Sequence, residues 1–570
     1  MSRFPVLLAS VAGFVILRAT MAAQDPTEAN RMNASEHESY GESLQRQARQ
    51  GAGETGVRTA STTAKGQCSG RFPLPLATHW TPHSWKSEST TPSWQLDQIK
   101  NGHHWLLTLW WGDFEPWTSE AEAYYEPAVA EAQRRKLPIA LVSTQWESIL
   151  YDRGPWKDLP LQQSPLAFDL QGRRTGRLSP IGAVKPWAEA GEAWAEAPVL
   201  KRLQHLYPDP PYVVLISNNE ARRVKQKDLE KTLRYRRLYG SRKDGQARRQ
   251  IIGDGYIERY SAMVESLRAH LGAWRESAII IGWAGGNSNF GRRGWLEQNN
   301  PDFGMSVPGR LNIAPFIWDG IAAKYYIDST VRRTSDDVTL FSPKVQIMNL
   351  PLEVAFACKQ KHDYYLELTT WFNDEFVEKL RALGRETLAA RFGGYVRFGM
   401  WIARPRAVRH FSRRKETLSD IGVFLGETMR AVDEVHIDPV LASFWQVGEL
   451  VVNPDRQNPN RFEIPVEYQR VSRWIALDTN LDPPNPWHID DILPVWVLAL
   501  VKEDQGRRQW LVFAQAPLGN RSRVDARVPG LGTVSLRATQ RGCYYLVEDR
   551  GRTARSVSIN EEFCRLPGSS

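Results

Sequence analysis

Two acidic residues stand where a carboxylate is costly unless it has a partner or faces a polar opening. Glu367 lies inside the apolar run Tyr364-Tyr-Leu-Glu-Leu-Thr-Thr370, and Glu220 closes Asn218-Asn-Glu directly after Tyr212-Val-Val-Leu-Ile-Ser217. Burying an isolated charge is heavily penalised, so Glu367 must either pair with a buried cation such as Arg397 or Arg404, or open onto a polar site. Two carboxyl groups flanking one bond can split it: one protonates the leaving oxygen while the other attacks carbon or activates water. Equally, Asn218 or Asn219 could cap the next helix, with Glu220 in its first turn. Asp319, in Phe316-Ile-Trp-Asp-Gly320, is a third acid after an apolar run. It could orient a substrate, replace one member of the pair, or cap a turn. Tyr325 and Tyr326 follow, and a phenol beside a nucleophile can hold its ionisation state or simply pack.

The elements that would position these groups recur as short apolar runs: 74–78, 105–110, 139–143, 212–217, 278–283, 315–318, 364–369 and 396–401. Amphipathic stretches such as 120–136, 257–274 and 374–391 lie between them. Eight buried strands alternating with helices predict a (β/α)8 TIM barrel, although a doubly wound sheet alternates in a similar way. A barrel gathers the C-terminal ends of its strands at one face, where its active site lies. Trp80, Trp111, Trp146, Trp283, Trp318, Trp371 and Trp401 sit at or just past those ends, in a chain with 22 Trp against 20 Phe and 18 Tyr. Indole rings there would stack on the apolar faces of sugars, or else pack the barrel mouth. His79 follows the first run and could bind a sugar hydroxyl. A metal would need a third ligand that the sequence does not identify, so none is expected.

With strands in those places, the chain resembles the retaining (β/α)8 glycoside hydrolases of clan A over roughly residues 72–445. That clan carries an Asn-Glu pair at the end of strand four and a nucleophilic Glu at the end of strand seven. Asn219-Glu220 and Glu367 match those positions. The resemblance implies Glu220 as acid/base, Glu367 as nucleophile and Asn219 as partner of the sugar 2-hydroxyl. It implies no cofactor, and no particular family is identified. Trp111, Trp146, Tyr325, Trp371 and Trp401 join His79 and Asp319 as expected substrate contacts. Two other readings stay open: an inverting hydrolase that uses Asp319, and a carbohydrate-binding barrel without catalysis.

Beyond about residue 446 the pattern changes to consecutive strands over 461–468, 472–477, 494–502, 509–516, 523–528, 533–538 and 542–548, which predicts an antiparallel β-sandwich. The expected organisation is a signal peptide over 1–23, a disordered leader over 24–70, the barrel over 71–445 and the sandwich over 446–570. An Arg3-led apolar segment ending in small residues points to a secreted or periplasmic protein. Cys543 and Cys564, two of only four cysteines, could then staple the sandwich.

The 570 residues are 42% hydrophobic and 24% charged, which excludes a disordered tail, a collagen and a coiled coil. No apolar run reaches the length of a bilayer span, so stable membrane insertion is not expected. The net charge of +9 permits acidic partners without requiring them. Residues 221–250 hold 12 Lys and Arg against three Asp and Glu. That stretch reads as a solvated helix face or as a track for a sulfated or uronic polysaccharide. Nucleic acid is not expected, because no nucleic-acid motif accompanies the charge.

Overall fold

The structure is a computed structural model. It describes residues 76–77, 91–110, 119–143, 146–151, 154–217, 222–241, 245–284, 317–326, 332–335, 338–341, 350, 354, 363–369, 384–411, 418–454, 477–478, 495–517, 519–548 and 554–557. The expected signal peptide and leader lie outside them.

Eight strands form one parallel sheet: β1 (Leu76–Ala77), β2 (Leu107–Trp110), β3 (Ile139–Ser143), β4 (Val213–Ser217), β5 (Ala278–Ala284), β6 (Gly320–Tyr326), β7 (Asp363–Thr369) and β8 (Ala407–Phe411). Their order is β1-β8-β7-β6-β5-β4-β3-β2, and every ladder is parallel. Chain neighbours are sheet neighbours from β2 to β8 with no reversal. A doubly wound sheet, whose order reverses at a switch point, is therefore excluded. Among the described residues no ladder joins β1 to β2.

The crossovers run through α1 (Pro92–Lys100), α2 (Ser119–Arg135), α3 (Lys185–Ala195), α4 (Pro198–Leu206), α5 (Gly245–Ala269) and α6 (Arg385–Ala403), and α7 (Leu418–Ile437) and α8 (Pro439–Val447) follow β8. Proline opens α1, α3, α4 and α8, where its missing N–H costs nothing. The period-two alternation of the strands separates two cores. Leu107, Leu109, Leu141, Val213, Leu215, Ile280 and Val408 pack outward with the helices. Leu106, Ala140, Val142, Val214, Ile216, Ile279, Ile281 and Ala407 form a second cluster on the inner face. Both faces thus carry buried apolar side chains, as is usual for a parallel sheet. Helices α3 and α5 touch backbone to backbone at Gly191, where an added Cβ would stand 2.0 Å from the Met263 carbonyl oxygen.

Two expected strands are corrected. The sixth lies over Gly320–Tyr326 rather than 315–318. Its Gly-Ile-Ala-Ala-Lys opening is weak in β-propensity, which hid it in the sequence. The expected eighth strand, 396–401, falls inside α6, whose residues from Arg391 to Ala403 are all buried. A helix buried on every side loses the polar stripe that would reveal its 3.6-residue period. The true β8 follows it.

The C-terminal strands β9 (Trp496–Asp504), β10 (Arg507–Gln515) and β13 (Cys543–Glu548) form an antiparallel sheet, and β11 (Arg521–Val528) pairs with β12 (Gly532–Ala538). One sheet face, through Val497, Val512 and Val547, packs on Val524, Val534 and Leu536 of the hairpin. The other, through Trp496, Leu498, Phe513 and Tyr544, belongs to the same core as Phe398 and Trp401 of α6. The expected strand over 461–468, and 472–476 of the next, lie outside the described residues. Cys543 is disulfide-bonded, and the other three cysteines lie outside the described residues.

Candidate functional site

The C-terminal ends of the parallel strands carry the candidate chemistry. In β7, Glu367 is in register with Lys324 of β6 and with Arg409 of β8. Tyr365, two residues earlier, is in register with Ala407, a member of the inner-face cluster. The two-residue repeat therefore places Glu367, Lys324 and Arg409 in one row across three strands, on the inner face and near its C-terminal edge. Arg409 is 2% exposed. Tyr325 is in register with Leu368 and falls on the other face from Glu367, whereas Tyr326, in register with Thr369, shares its face.

Asn219 and Glu220 lie outside the described residues. In sequence they stand two and three residues past Ser217, the last residue of β4. His79, Trp111 and Trp371 are outside the described residues as well. Arg397 and Arg404, the buried cations weighed as partners of Glu367, engage other groups. Arg397 binds Glu434 and Glu427, and Arg404 donates to the carbonyls of Gly448 at 2.6 Å and Trp445 at 3.3 Å.

Asp319 is displaced from its expected place. Because β6 starts at Gly320, Asp319 precedes the strand instead of ending it. Five residues separate it from the level of Lys324 and Glu367, roughly 16 Å along a strand. There it pairs with Arg268 of α5 and accepts the Ile280 N–H at 2.8 Å. It ties α5 to the sheet at the N-terminal side of β6.

The aromatic floor is also corrected where side chains are described. Trp146 is fully buried in a 3-10 turn after β3, its indole donating to the Ser143 hydroxyl. Trp318 is 2% exposed and meets Trp146 edge to face at 5.8 Å. Trp401 sits in α6 and donates to the Tyr544 hydroxyl at 2.7 Å. All three fill the layer behind the sheet or under the C-terminal unit, so none of them presents a ring to a sugar.

Glu147, one residue beyond Trp146, is fully buried. Its Oε1 accepts the Tyr260 hydroxyl at 2.6 Å. Burial pushes its carboxyl above the ordinary range, against the pull of the neighbouring Arg223 and the Tyr260 hydrogen bond. Part of the basic stretch is engaged by the protein itself, while Arg222, Lys227, Lys231, Arg236 and Arg237 are exposed. Arg223 is buried, Arg222 lies 5.4 Å over the Tyr151 ring, and Arg234 donates to the carbonyls of Leu166 and Ser164 at 2.9 and 2.7 Å. Arg248 pairs with Glu230 at 3.1 Å and Lys231 with Asp228 at 3.0 Å.

No protein-family model matches the sequence, and no curated protein matches it. The fold is similar to parts of solved structures. One is an α-galactosidase from Lactobacillus brevis, at 11% identity and TM-score 0.38, covering 81% of this chain and 48% of that one. Another is a GH36 α-galactosidase from Geobacillus stearothermophilus in complex with raffinose, at 10% identity and TM-score 0.34, covering 83% and 55%. A third is an α-galactosidase from Saccharomyces cerevisiae, at 8% identity and TM-score 0.31, covering 80% and 76%. These neighbours are glycoside hydrolases. The chain spans about half the length of the first two. Likeness at this level leaves the functional reading to the strands and residues of this chain.

Sequence reasoning missed Arg409 because the eighth strand was expected one element too early. A signal was present: Ala407-Val-Arg-His-Phe411 follows Pro405 and alternates around a central Arg. Among the described residues no group of His, Cys, Asp and Glu could hold a metal ion, and no helix is long and apolar enough to cross a membrane.

Proposed function

We propose that the chain is a glycoside hydrolase whose eight parallel strands close into a (β/α)8 barrel and whose C-terminal unit is a β-sandwich. The observation that carries the reading is the strand order together with Glu367 on the inner face of β7, near the edge where barrel enzymes act. Glu220, three residues past β4, supplies the second carboxyl. In a retaining double displacement, a Glu367 oxygen forms a bond to the anomeric carbon as the bond to the leaving oxygen breaks. Glu220 passes its proton to that oxygen. Water then attacks the same carbon, gives a proton to Glu220 and returns the Glu367 carboxylate. Asn219 and His79 take sugar hydroxyls, and Trp111 and Trp371 are the remaining candidates for stacking. The substrate is a poly- or oligosaccharide, with sulfated or uronic polymers as one class, and the site of action is outside the cytoplasm or in a periplasm.

The test is a hydrolysis screen over neutral, sulfated and uronic polysaccharides and aryl glycosides, with wild type, Glu367→Gln and Glu220→Gln. Turnover of one class by wild type, lost by at least about 10³-fold in Glu367→Gln, is the expected result. Turnover that survives in Glu367→Gln rejects the assignment.

A further inference from the structure

The row Lys324–Glu367–Arg409 says more about the site than that a carboxylate is present. An acid on the inner face of a parallel sheet is expensive there unless opposite charge accompanies it. Here each neighbouring strand supplies a cation at the register of Glu367. Adjacent strands run about 4.8 Å apart, a spacing across which long side chains in the same row interact. The two cations differ in kind. Lysine is a mobile point charge on a flexible stem, whereas a guanidinium offers a rigid planar fork that matches a carboxylate and does not lose its proton. Arg409 is moreover 2% exposed, two residues before the end of β8, and in register on its far side with Ala77 of β1. Its charge is therefore fixed within the sheet and little screened by solvent.

We propose that Arg409 is a positioning residue for Glu367, keeping that carboxylate ionised and oriented toward the C-terminal opening so that it is ready to attack. This rests on the reading of Glu367 as nucleophile. A nucleophilic carboxylate must be deprotonated before the sugar arrives, and opposite charge within about 4–6 Å achieves this by favouring the charged form. Other polar groups bear on the same row. Lys324 contributes from β6, and Tyr365 of β7 and Tyr326 of β6 fall on the same face. Lys324 adds charge to the row, while the geometric demand of an in-line attack falls to the fork.

The experiment is a carbon-13 NMR titration of the full-length protein with labelled glutamate side-chain carboxyls, Glu367 being assigned by difference from Glu367→Gln. In wild type the Glu367 midpoint is expected below the unperturbed value of about 4.3. In Arg409→Met it should rise by about 1–3 pH units, and Arg409→Lys should restore most of that difference while leaving kcat well below wild type. A wild-type midpoint at or above about 4.3, or a midpoint unmoved in folded Arg409→Met, overturns the proposal; the first criterion needs no Arg409 variant to fold. Failure of the nucleophile reading shows separately, as turnover that survives Glu367→Gln. Failure of the Arg409 proposal shows as an unmoved midpoint with turnover still dependent on Glu367.

Discussion

Arg397 of α6 and Glu434 of α7 form a two-point ion pair at 2.8 and 2.5 Å, with both side chains shut off from solvent. Glu427, about two turns earlier on the same face of α7, accepts from Arg397 at 3.3 Å and from Arg541 of the C-terminal unit at 2.9 Å. The network therefore joins α6 and α7 to the C-terminal unit through the guanidinium groups of Arg397 and Arg541. Its geometry satisfies the charges it buries, which is the condition under which such a network is tolerated. Arg397→Met strands the Glu434 carboxylate, while Glu427 keeps Arg541, and should destabilise the protein by about 3–5 kcal/mol in urea unfolding. Adding Glu434→Leu should recover part of that loss. A single variant within about 1 kcal/mol of wild type would show that the network relaxes freely.

Glu147 makes stability depend on pH in a direction opposite to that of most carboxylates. Burial raises its folded-state value above the unfolded one, so its contribution is fully present below about pH 4.3 and is lost as pH rises through the folded-state value. Glu147→Gln keeps an acceptor for the Tyr260 hydroxyl and removes the titration. The melting temperature of wild type relative to this variant should therefore fall between pH 4 and 8. A flat difference across that range would mean that Arg223 holds the carboxylate charged at little cost.

Asp433 of α7 behaves in the usual sense. Burial raises its carboxyl, but hydrogen bonds from the His104 ring, the His104 N–H and the His103 ring outweigh it and hold the group below its ordinary range. Its stabilisation is present above the unfolded value of about 3.9 and is lost as pH falls through the folded-state value. Asp433→Asn should cost about 1–3 kcal/mol at pH 6 and progressively less toward pH 2. A cost that stays constant with pH would show that the carboxylate charge contributes nothing here.

Gly191 is required by contact and not by backbone conformation. Gly191→Ala places a methyl against the Met263 carbonyl in the closest approach of α3 and α5. A loss of about 1–3 kcal/mol is expected, measured by chemical unfolding. Neutral behaviour would mean that the two helices separate without loss of packing.

These outcomes bear on how legible the protein was from its residues. The strand β3 was read from 139–143 to the residue, because Ile139-Ala-Leu-Val-Ser143 is apolar on both faces and short. Glu367 could be assigned to β7 because an acid in an apolar strand is conspicuous. The tryptophans misled for a physical reason: Trp146, Trp318 and Trp401 mark strand ends or apolar runs in the sequence, yet each closes a layer of core. Asp319 looked like a strand-end acid because Ile317 and Trp318, both buried, lead into β6 from its N-terminal side. Pairing with Arg268, 51 residues earlier, carries no local signal. The row around Glu367 was invisible for the same reason, since register between β6, β7 and β8 is set by the closing of the sheet and not by any one segment.

The central claim is that Glu367 becomes covalently attached to the sugar. It is tested most directly by trapping the intermediate with the activated 2-deoxy-2-fluoro form of whichever glycoside the screen finds hydrolysed, followed by peptide mass spectrometry. The account predicts a single glycosyl adduct on the peptide that contains Glu367, absent from Glu367→Gln. An adduct on another carboxylate, or hydrolysis with inversion and no adduct, would contradict it.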